Sequence, residues 1–124
     1  MKLSDGEWKL MQLLWKDAPQ TITQMTKAME KQTGWTKHTI ISYLKRIEEK
    51  GAVRHETDGR TKQFYPLISE ADAERQETED FLKKVYHGKF GLMLHTMVER
   101  QSFSAEELEE LSAILERAKT KTNR

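Results

Sequence analysis

The stretch Trp35–Pro66 decides the fold; it reads WTKHTIISYLKRIEEKG and then AVRHETDGRTKQFYP. Its first half predicts a helix. Thr36 can accept a hydrogen bond from a first-turn amide, and Gly51 can adopt the left-handed conformation that often ends a helix. The apolar residues on this helix recur at spacings of four and three, which places them on one buried face. They are Ile40, Leu44 and Ile47.

The opposite face of this helix is polar and basic, with His38, Ser42 and Lys45 in the centre and Ile41 and Arg46 at its edges. Such a face suits the major groove of DNA, where base edges accept hydrogen bonds from basic side chains and thymine methyls make apolar contacts. The alternative is a solvated helix face that contacts no partner.

A basic hairpin follows the helix directly. Residues 52–57 and 61–65 alternate like two short strands, and Asp58-Gly59 is a hairpin turn sequence. Arg60 and Lys62 place positive charge at the tip and on the second strand. A helix followed by such a hairpin predicts a winged helix-turn-helix. A solvated hairpin with incidental charge is the alternative for the wing.

Two earlier helices complete the predicted domain. Ser4 with Glu7, and Thr21 with Gln24, have capping-box spacing, and Thr23 is a rival cap for the second helix. The second and third helices then form the helix-turn-helix pair, which the first helix covers. The first helix would bury Trp8, Leu10, Met11, Leu14 and Trp15, and the second Ile22, Met25, Ala28 and Met29. A ligand-binding pair formed by Trp8 and Trp15 is the alternative to core packing.

Composition and charge narrow the class of protein. With 124 residues, 36% hydrophobic and 33% charged, one domain, or one domain with an appendage, is expected. The absence of cysteine excludes disulfides and thiolate metal sites, and it is compatible with the cytoplasm. No apolar signal core and no membrane-spanning run is present. Residues 34–65 hold 7 Lys/Arg against 4 Asp/Glu, whereas residues 66–124 hold 9 against 12, so a polyanion would bind the first half.

The C-terminal part is predicted to hold three helices. Ser69 begins the first, Gly88 and Gly91 bracket a break before the second, and Ser104 with Glu107 begins the third. These residues are too few to bury their apolar side chains alone, which predicts a symmetric homodimer. The alternative is a monomer whose helices fold back on the winged domain. The predicted dimerisation residues are Phe81, Val85, Leu94, Met97, Leu108, Leu111 and Leu115.

Nothing in the chain points to catalysis. The four histidines have no metal-binding spacing, and there is no Gly-rich phosphate loop. His95 and Glu99 could hold a metal at a spacing of four, but a place on the helix surface is the simpler interpretation. The sequence therefore predicts no enzyme, no cofactor and no metal.

Four motifs stand out along the chain: Ser-Asp-x-Glu-Trp from Ser4, the Trp35–Gly51 pattern, Tyr-Pro-Leu-Ile-Ser from Tyr65 and Glu-Glu-Leu-Glu-Glu-Leu at 106–111. With them the chain resembles the penicillinase-repressor family, the BlaI/MecI/CopY group of bacterial winged-helix repressors. The resemblance implies an N-terminal DNA-binding domain, a C-terminal dimerisation domain and repression through inverted-repeat operators. Thr39, Ser42 and Arg46 match the family's recognition-helix pattern. Lys37 departs from it, because family members commonly have proline at that position.

Two departures from the family concern the inducing signal. Copper-responsive members carry a C-terminal cysteine cluster, and the absence of cysteine here excludes copper(I) sensing by thiolates. Members that respond to β-lactams are inactivated by a protease at an Asn-Phe bond. The best-aligned pair here is Thr96-Met97, so the Asn-Phe motif does not transfer. The resemblance still implies a regulatory protease as a partner, with Thr96-Met97 as the candidate cleavage site.

These observations predict a mainly α protein with a small β wing: a winged helix-turn-helix domain over residues 1–66 and a three-helix dimerisation domain over residues 67–124. The expected function is a cytoplasmic repressor that binds palindromic double-stranded DNA as a homodimer. The resemblance implies genes for resistance to β-lactams or related antibiotics as its targets. A winged-helix protein-interaction module that binds no DNA is the alternative. The candidate DNA-binding residues are Lys37, His38, Thr39, Ile41, Ser42, Lys45, Arg46, Arg60 and Lys62.

Overall fold

A computed structural model describes residues 1–122 of the chain, and these form six helices and one small sheet. This confirms a mainly α chain with a β wing. The chain divides into two compact units, Met1–Glu77 and a second that begins at Thr78, inside the fourth helix. The division after residue 66 remains a prediction. The elements are α1 (Asp5–Lys16), β1 (Gln20–Thr21), α2 (Ile22–Thr33), α3 (Lys37–Glu49), β2 (Val53–Asp58), β3 (Thr61–Pro66), α4 (Glu70–Tyr86), α5 (Phe90–Glu99) and α6 (Ala105–Thr122).

Both predicted capping boxes at the start of the chain are present. The Ser4 hydroxyl accepts from the Glu7 amide at 3.3 Å, and the Glu7 carboxylate accepts from the Ser4 amide at 2.6 Å. Thr21 and Gln24 make the same pair of bonds at 3.1 and 2.8 Å. Thr21 therefore caps α2 and Thr23 does not. Each box satisfies amides that the first helical turn would otherwise leave without a partner.

The sheet has three antiparallel strands in the order β1-β3-β2. The predicted hairpin pairs Val53 with Pro66 at one end and Asp58 with Thr61 at the other, and Gly59 turns with φ 67°. The third strand, β1, was not predicted. It spans only Gln20–Thr21, which is too short to show alternation, and it pairs with Phe64 and Gln63 of β3.

The core of the first unit lies between α1, α2, α3 and the sheet. Trp15 donates from its indole nitrogen to the Ile68 carbonyl at 2.9 Å, and its ring meets Trp8 edge-on with centroids 5.5 Å apart. The prediction that Ala28 is buried is wrong. Its methyl lines a shallow groove between α1 and α2 beside longer side chains such as Gln12 and Gln32. The fully buried apolar side chains include Leu10, Met11, Leu14, Met25, Met29, Ile40, Ile47 and Val53.

The second unit holds the end of α4 together with α5 and α6. Gly88, at φ 80°, follows α4, and Ser104 and Glu107 form the predicted capping box of α6 at 3.1 and 3.0 Å. Gly91 does not bracket the break as predicted, because α5 already begins at Phe90 and includes it. None of the described residues of α5 or α6 is itself buried. Within residues 1–122, no helix is long and apolar enough to cross a membrane.

Candidate nucleic-acid interface

Three buried side chains, Ile40, Leu44 and Ile47, anchor α3 and direct its opposite face outward. The helix begins as predicted, because the Thr36 hydroxyl accepts from the Thr39 amide at 3.3 Å. The Thr39 hydroxyl lies 3.2 Å from that of Thr36, so this half-buried residue belongs to the cap as well as to the outer face. The remaining candidates on the helix are all exposed, namely Lys37, His38, Ile41, Ser42, Lys45 and Arg46.

A groove of about 400 Å³ separates the start of α3 from the wing. On the α3 side it is lined by Lys37 and Ile41, and on the wing side by Arg60 and Lys62. Three cationic side chains from two separate segments therefore face one groove that has an apolar wall. Its floor is formed by Thr21, Ile22, Thr23 and Thr61.

A second hollow of about 190 Å³ lies further along α3. Lys45 and Glu48 of α3 face Lys62 of the wing across it. Glu48 also hydrogen-bonds to the His55 ring of β2, and that ring packs on Phe64 with centroids 5.5 Å apart. This link holds the wing against α3, so the cations of the two segments keep a defined spacing.

Arg46 lies away from the groove, over an aromatic pair. Its guanidinium carbon is 5.6 Å from the centroid of Tyr43, whose ring lies 4.8 Å from that of Trp35. Gly6 of α1 allows the Tyr43 hydroxyl to approach closely, because a Cβ at Gly6 would overlap it. The Tyr43 ring, packed on Trp35, thus offers the Arg46 guanidinium a cation–π contact.

A part-buried ion pair links α1 to the residue that follows α3. Glu7 of α1 is only 1% exposed, and its carboxylate accepts from the Lys50 ammonium at 2.6 Å. Lys50 also donates to the Lys2 carbonyl at 2.7 Å. Burial raises the pKa of Glu7, but the bonds from Lys50 and Ser4 together lower it more, so the pKa lies below its ordinary 4.5. The carboxylate is therefore ionised at neutral pH and pairs α1 with the end of α3.

Sequence reasoning missed two features of this region. Thr21, Ile22 and Thr23 were assigned only to a cap or to the core, yet they also line the groove. Their position beside the wing follows from the pairing of β1 with β3, which has no local sequence pattern. The pairing of Glu7 with Lys50 spans 43 positions and was missed for the same reason.

The predicted dimerisation residues all lie in the second unit. Phe81, Val85, Met97, Leu108 and Leu115 are between 39% and 49% exposed, and Leu94 and Leu111 are half-buried.

The Thr96-Met97 pair lies inside α5, where the Thr96 hydroxyl donates to the Leu92 carbonyl at 3.0 Å. His95 pairs with Glu99 at 3.2 Å on the exposed helix surface. Within residues 1–122, no group of three or more potential ligands could hold a metal ion.

The winged domain agrees with what comparisons with known proteins find. The family model described as penicillinase repressor matches residues 3–117. The chain belongs to the penicillinase repressor family. The penicillinase repressor of Bacillus licheniformis is 32% identical over 120 residues, which cover 97% of this chain and 94% of that protein. The methicillin resistance regulatory protein MecI of Mammaliicoccus sciuri is 29% identical over 114 residues, covering 92% and 93%.

A solved structure of a family member includes nucleic acid. The monomeric form of Bacillus licheniformis BlaI, in complex with the blaP half-operator, matches with a TM-score of 0.52 and 32% identity. The match covers 58% of this chain and 88% of that one. This confirms the winged-helix fold of the N-terminal part. The penicillinase repressor family is thus one of DNA-binding transcriptional repressors.

Proposed function

We propose that this protein represses transcription by binding inverted-repeat DNA operators as a homodimer. The observation that carries the proposal is the groove in which Lys37 and Ile41 face Arg60 and Lys62. Cations on both sides of one groove suit a backbone that carries a phosphate at every nucleotide. Between them, the exposed face of α3 offers Ser42 and Lys45 to base edges.

A winged module that binds only protein is the second class of function. An acidic protein surface would also be attracted to the cations of the groove, so charge alone does not separate the two classes. The apolar Ile41, 42% exposed beside Lys37, favours DNA, because thymine methyls supply an apolar contact at the same depth as hydrogen-bonding base edges. Only a DNA-binding repressor would bind duplex DNA in a sequence-dependent manner.

One copy of α3 is too short to specify an operator. With 13 residues it is roughly 20 Å long at about 1.5 Å per residue, and its outer face can read only a few base pairs. Discrimination against a genome of competing sites requires more contacts than this. Two copies related by a two-fold axis double the number of base pairs read and require an inverted repeat.

The second unit supplies a surface that could hold two copies together. It leaves Phe81 49% exposed, Leu108 44% and Leu115 45%, and neither α5 nor α6 has a buried residue of its own. Leaving so much apolar surface in water is unfavourable, and a two-fold-related copy presents the same residues to one another. We infer that these helices form the dimer interface.

The direct test is a charge placed in the centre of this apolar surface. Leu111→Asp would bury a carboxylate in the interface or open it. We expect this variant to sediment as a monomer and to lose affinity for a two-half-site operator by about a hundredfold, since the second half-site then binds independently. Its affinity for a single half-site should not change.

Ala113→Asp provides the matched control, because residue 113 lies on the opposite face of α6 and is exposed. This variant should remain dimeric and bind the operator like the parent. If Leu111→Asp also remains dimeric with normal affinity, the dimer contact lies elsewhere. A parent protein that is monomeric at micromolar concentration would remove the dimer from the proposal.

The relatives suggest the class of target gene and the inducing event. The names of these relatives refer to methicillin resistance and to penicillinase. We propose that the operator controls a gene for resistance to β-lactams or related antibiotics. Derepression would follow cleavage by a regulatory protease at Thr96-Met97. Because this bond lies inside α5, the helix must open locally before a protease can bind it in extended form.

A further inference from the structure

The contact between Glu48 of α3 and His55 of β2 places a titratable pair beside the proposed DNA-binding surface. Nδ1 of the His55 ring donates to the Glu48 carboxylate, and the two side chains are 31% and 36% exposed. We propose that His55 is a positioning residue for DNA binding, which holds the wing against α3 through Glu48 and takes up a proton when DNA binds. This inference rests on the proposed function, because it concerns the surface that this function assigns to DNA.

The pairing of β2 with β3 determines where the His55 ring lies. His55 stands opposite Phe64, which is 4% exposed and belongs to the core of the first unit. The two rings pack with centroids 5.5 Å apart. The His55 ring is thus held by the core on one side and by Glu48 on another. A change in its hydrogen bond therefore changes how firmly the wing is held beside α3.

The charges around this pair make the protonation state of His55 matter for a polyanion. Glu48 is the only acidic side chain among the described residues that line the groove and the second hollow. Two elements pack against β2, and they supply Lys45 from α3 and Lys62 from β3 as the other charged groups lining the second hollow. An ionised Glu48 beside a neutral imidazole adds one negative charge to a surface that must approach phosphates. An imidazolium in the same place cancels that charge.

Bound DNA would favour the protonated ring for two reasons. Phosphates near the second hollow attract the imidazolium directly, and they also offset Lys45 and Lys62, whose positive charges oppose protonation. Histidine is the side chain that commonly changes its charge between pH 5 and 8, so the ring can respond in this range. By reciprocity, if DNA raises the proton occupancy of His55, then added protons raise the affinity for DNA. Binding should therefore be tighter at pH 6 than at pH 8.

The test is titration calorimetry of the full chain with a mixed-sequence DNA duplex of about two helical turns, at constant ionic strength. The binding enthalpy is measured at pH 7 in two buffers that differ in ionisation enthalpy, and the difference gives the number of protons taken up. We expect the parent to take up a fraction of one proton per chain. Its Kd should fall by about three- to tenfold between pH 8 and pH 6.

Two substitutions at His55 separate the proton from the hydrogen bond. His55→Gln retains a side-chain N–H donor but cannot gain a proton, so most of the proton uptake should disappear. His55→Phe keeps a ring against Phe64 and has no donor, so it should bind DNA more weakly than His55→Gln at pH 8. His95→Gln is the matched control, because His95 pairs with Glu99 at 3.2 Å in the second unit. This control should retain the proton uptake of the parent.

Three results would overturn the inference while leaving the proposed function intact. The parent could bind the duplex without taking up protons. His55→Gln could retain the full uptake, which would assign the proton to another group such as His38. His55→Phe could bind as tightly as His55→Gln at pH 8, which would show that the hydrogen bond does not position the wing. If the parent does not bind the duplex at any pH, the proposed function itself is contradicted and this inference falls with it.

Discussion

Replacing Lys50 by Met tests the part-buried ion pair that joins α1 to the end of α3. The Met side chain keeps most of the apolar volume and removes only the ammonium, which lies 2.6 Å from the Glu7 carboxylate. Glu7 would remain 1% exposed, with the Ser4 amide at 2.6 Å as its main hydrogen-bond donor. Its second carboxylate oxygen already has no partner among the described residues. The variant therefore leaves a buried charge poorly compensated.

The expected loss of stability follows from the exposed fractions of the Glu7 and Lys50 side chains. Removing one member of a fully buried ion pair costs about 3–5 kcal/mol, and a charged hydrogen bond contributes about 1.5–3 kcal/mol. The Lys50 side chain is 35% exposed, so water can replace part of what it supplies. We expect Lys50→Met to lower the free energy of unfolding by about 2 kcal/mol at neutral pH.

The pH dependence separates this ion pair from other roles of Lys50. The Glu7 pKa lies below 4.5 in the folded parent, so its contribution is present above pH 4.5 and is lost as the pH falls through the folded pKa. A protonated Glu7 no longer needs the ammonium. The difference between parent and variant should therefore be largest at neutral pH and shrink as the pH falls below about 4.5, through the folded pKa of Glu7.

Urea unfolding followed by tryptophan fluorescence measures this directly, since Trp8, Trp15 and Trp35 all lie in the first unit. Lys27→Met, an exposed site on α2, is the control and should show a small difference that does not vary with pH. A Lys50→Met difference that is equally large at every pH would refute the reasoning. Lys50 would then act through packing or through the negative end of the α3 dipole.

Three further predictions concern the interface and its support. Ser42→Ala and Lys45→Ala should each weaken operator binding by about 1–3 kcal/mol and relax preference at one base pair per half-site; equal losses on random DNA would exclude base readout. Arg60→Ala should weaken binding to all sequences alike and reduce the salt slope by about one, and an unchanged slope would place the wing away from DNA. Gly6→Ala should lower the free energy of unfolding by about 1–2 kcal/mol in denaturant titrations, because its Cβ would overlap Tyr43; unchanged stability would mean that the ring moves without cost.

Features that depend on neighbouring residues were predictable from the sequence. The caps at Ser4, Thr21 and Thr36 each depend on a residue three positions further along, and the hairpin turn depends on the Asp58-Gly59 pair. The burial of Ile40 follows from helical spacing alone. Local sequence patterns, namely caps, turn residues and helical spacing, therefore predict the helices, the wing and the exposed face of α3.

Features that depend on tertiary pairing were not predictable in this way. Strand β1 exists because Gln20 meets Phe64, and that pairing places Thr23 beside the wing. The distance between α3 and the wing, and hence the width of the groove, also follows from tertiary packing. Ala28 fits the buried face by spacing, yet it is exposed because its side chain is too short to cross the groove that it lines.

Two copies of this chain are proposed to read one inverted repeat. Selection of bound duplexes from a random DNA pool, repeated at increasing salt, tests it most directly. The proposal predicts enriched sequences with two inverted half-sites whose centres lie about one or two helical turns apart. Enrichment of a single half-site would contradict the dimer, and recovery of unselected sequence would contradict specific DNA binding itself.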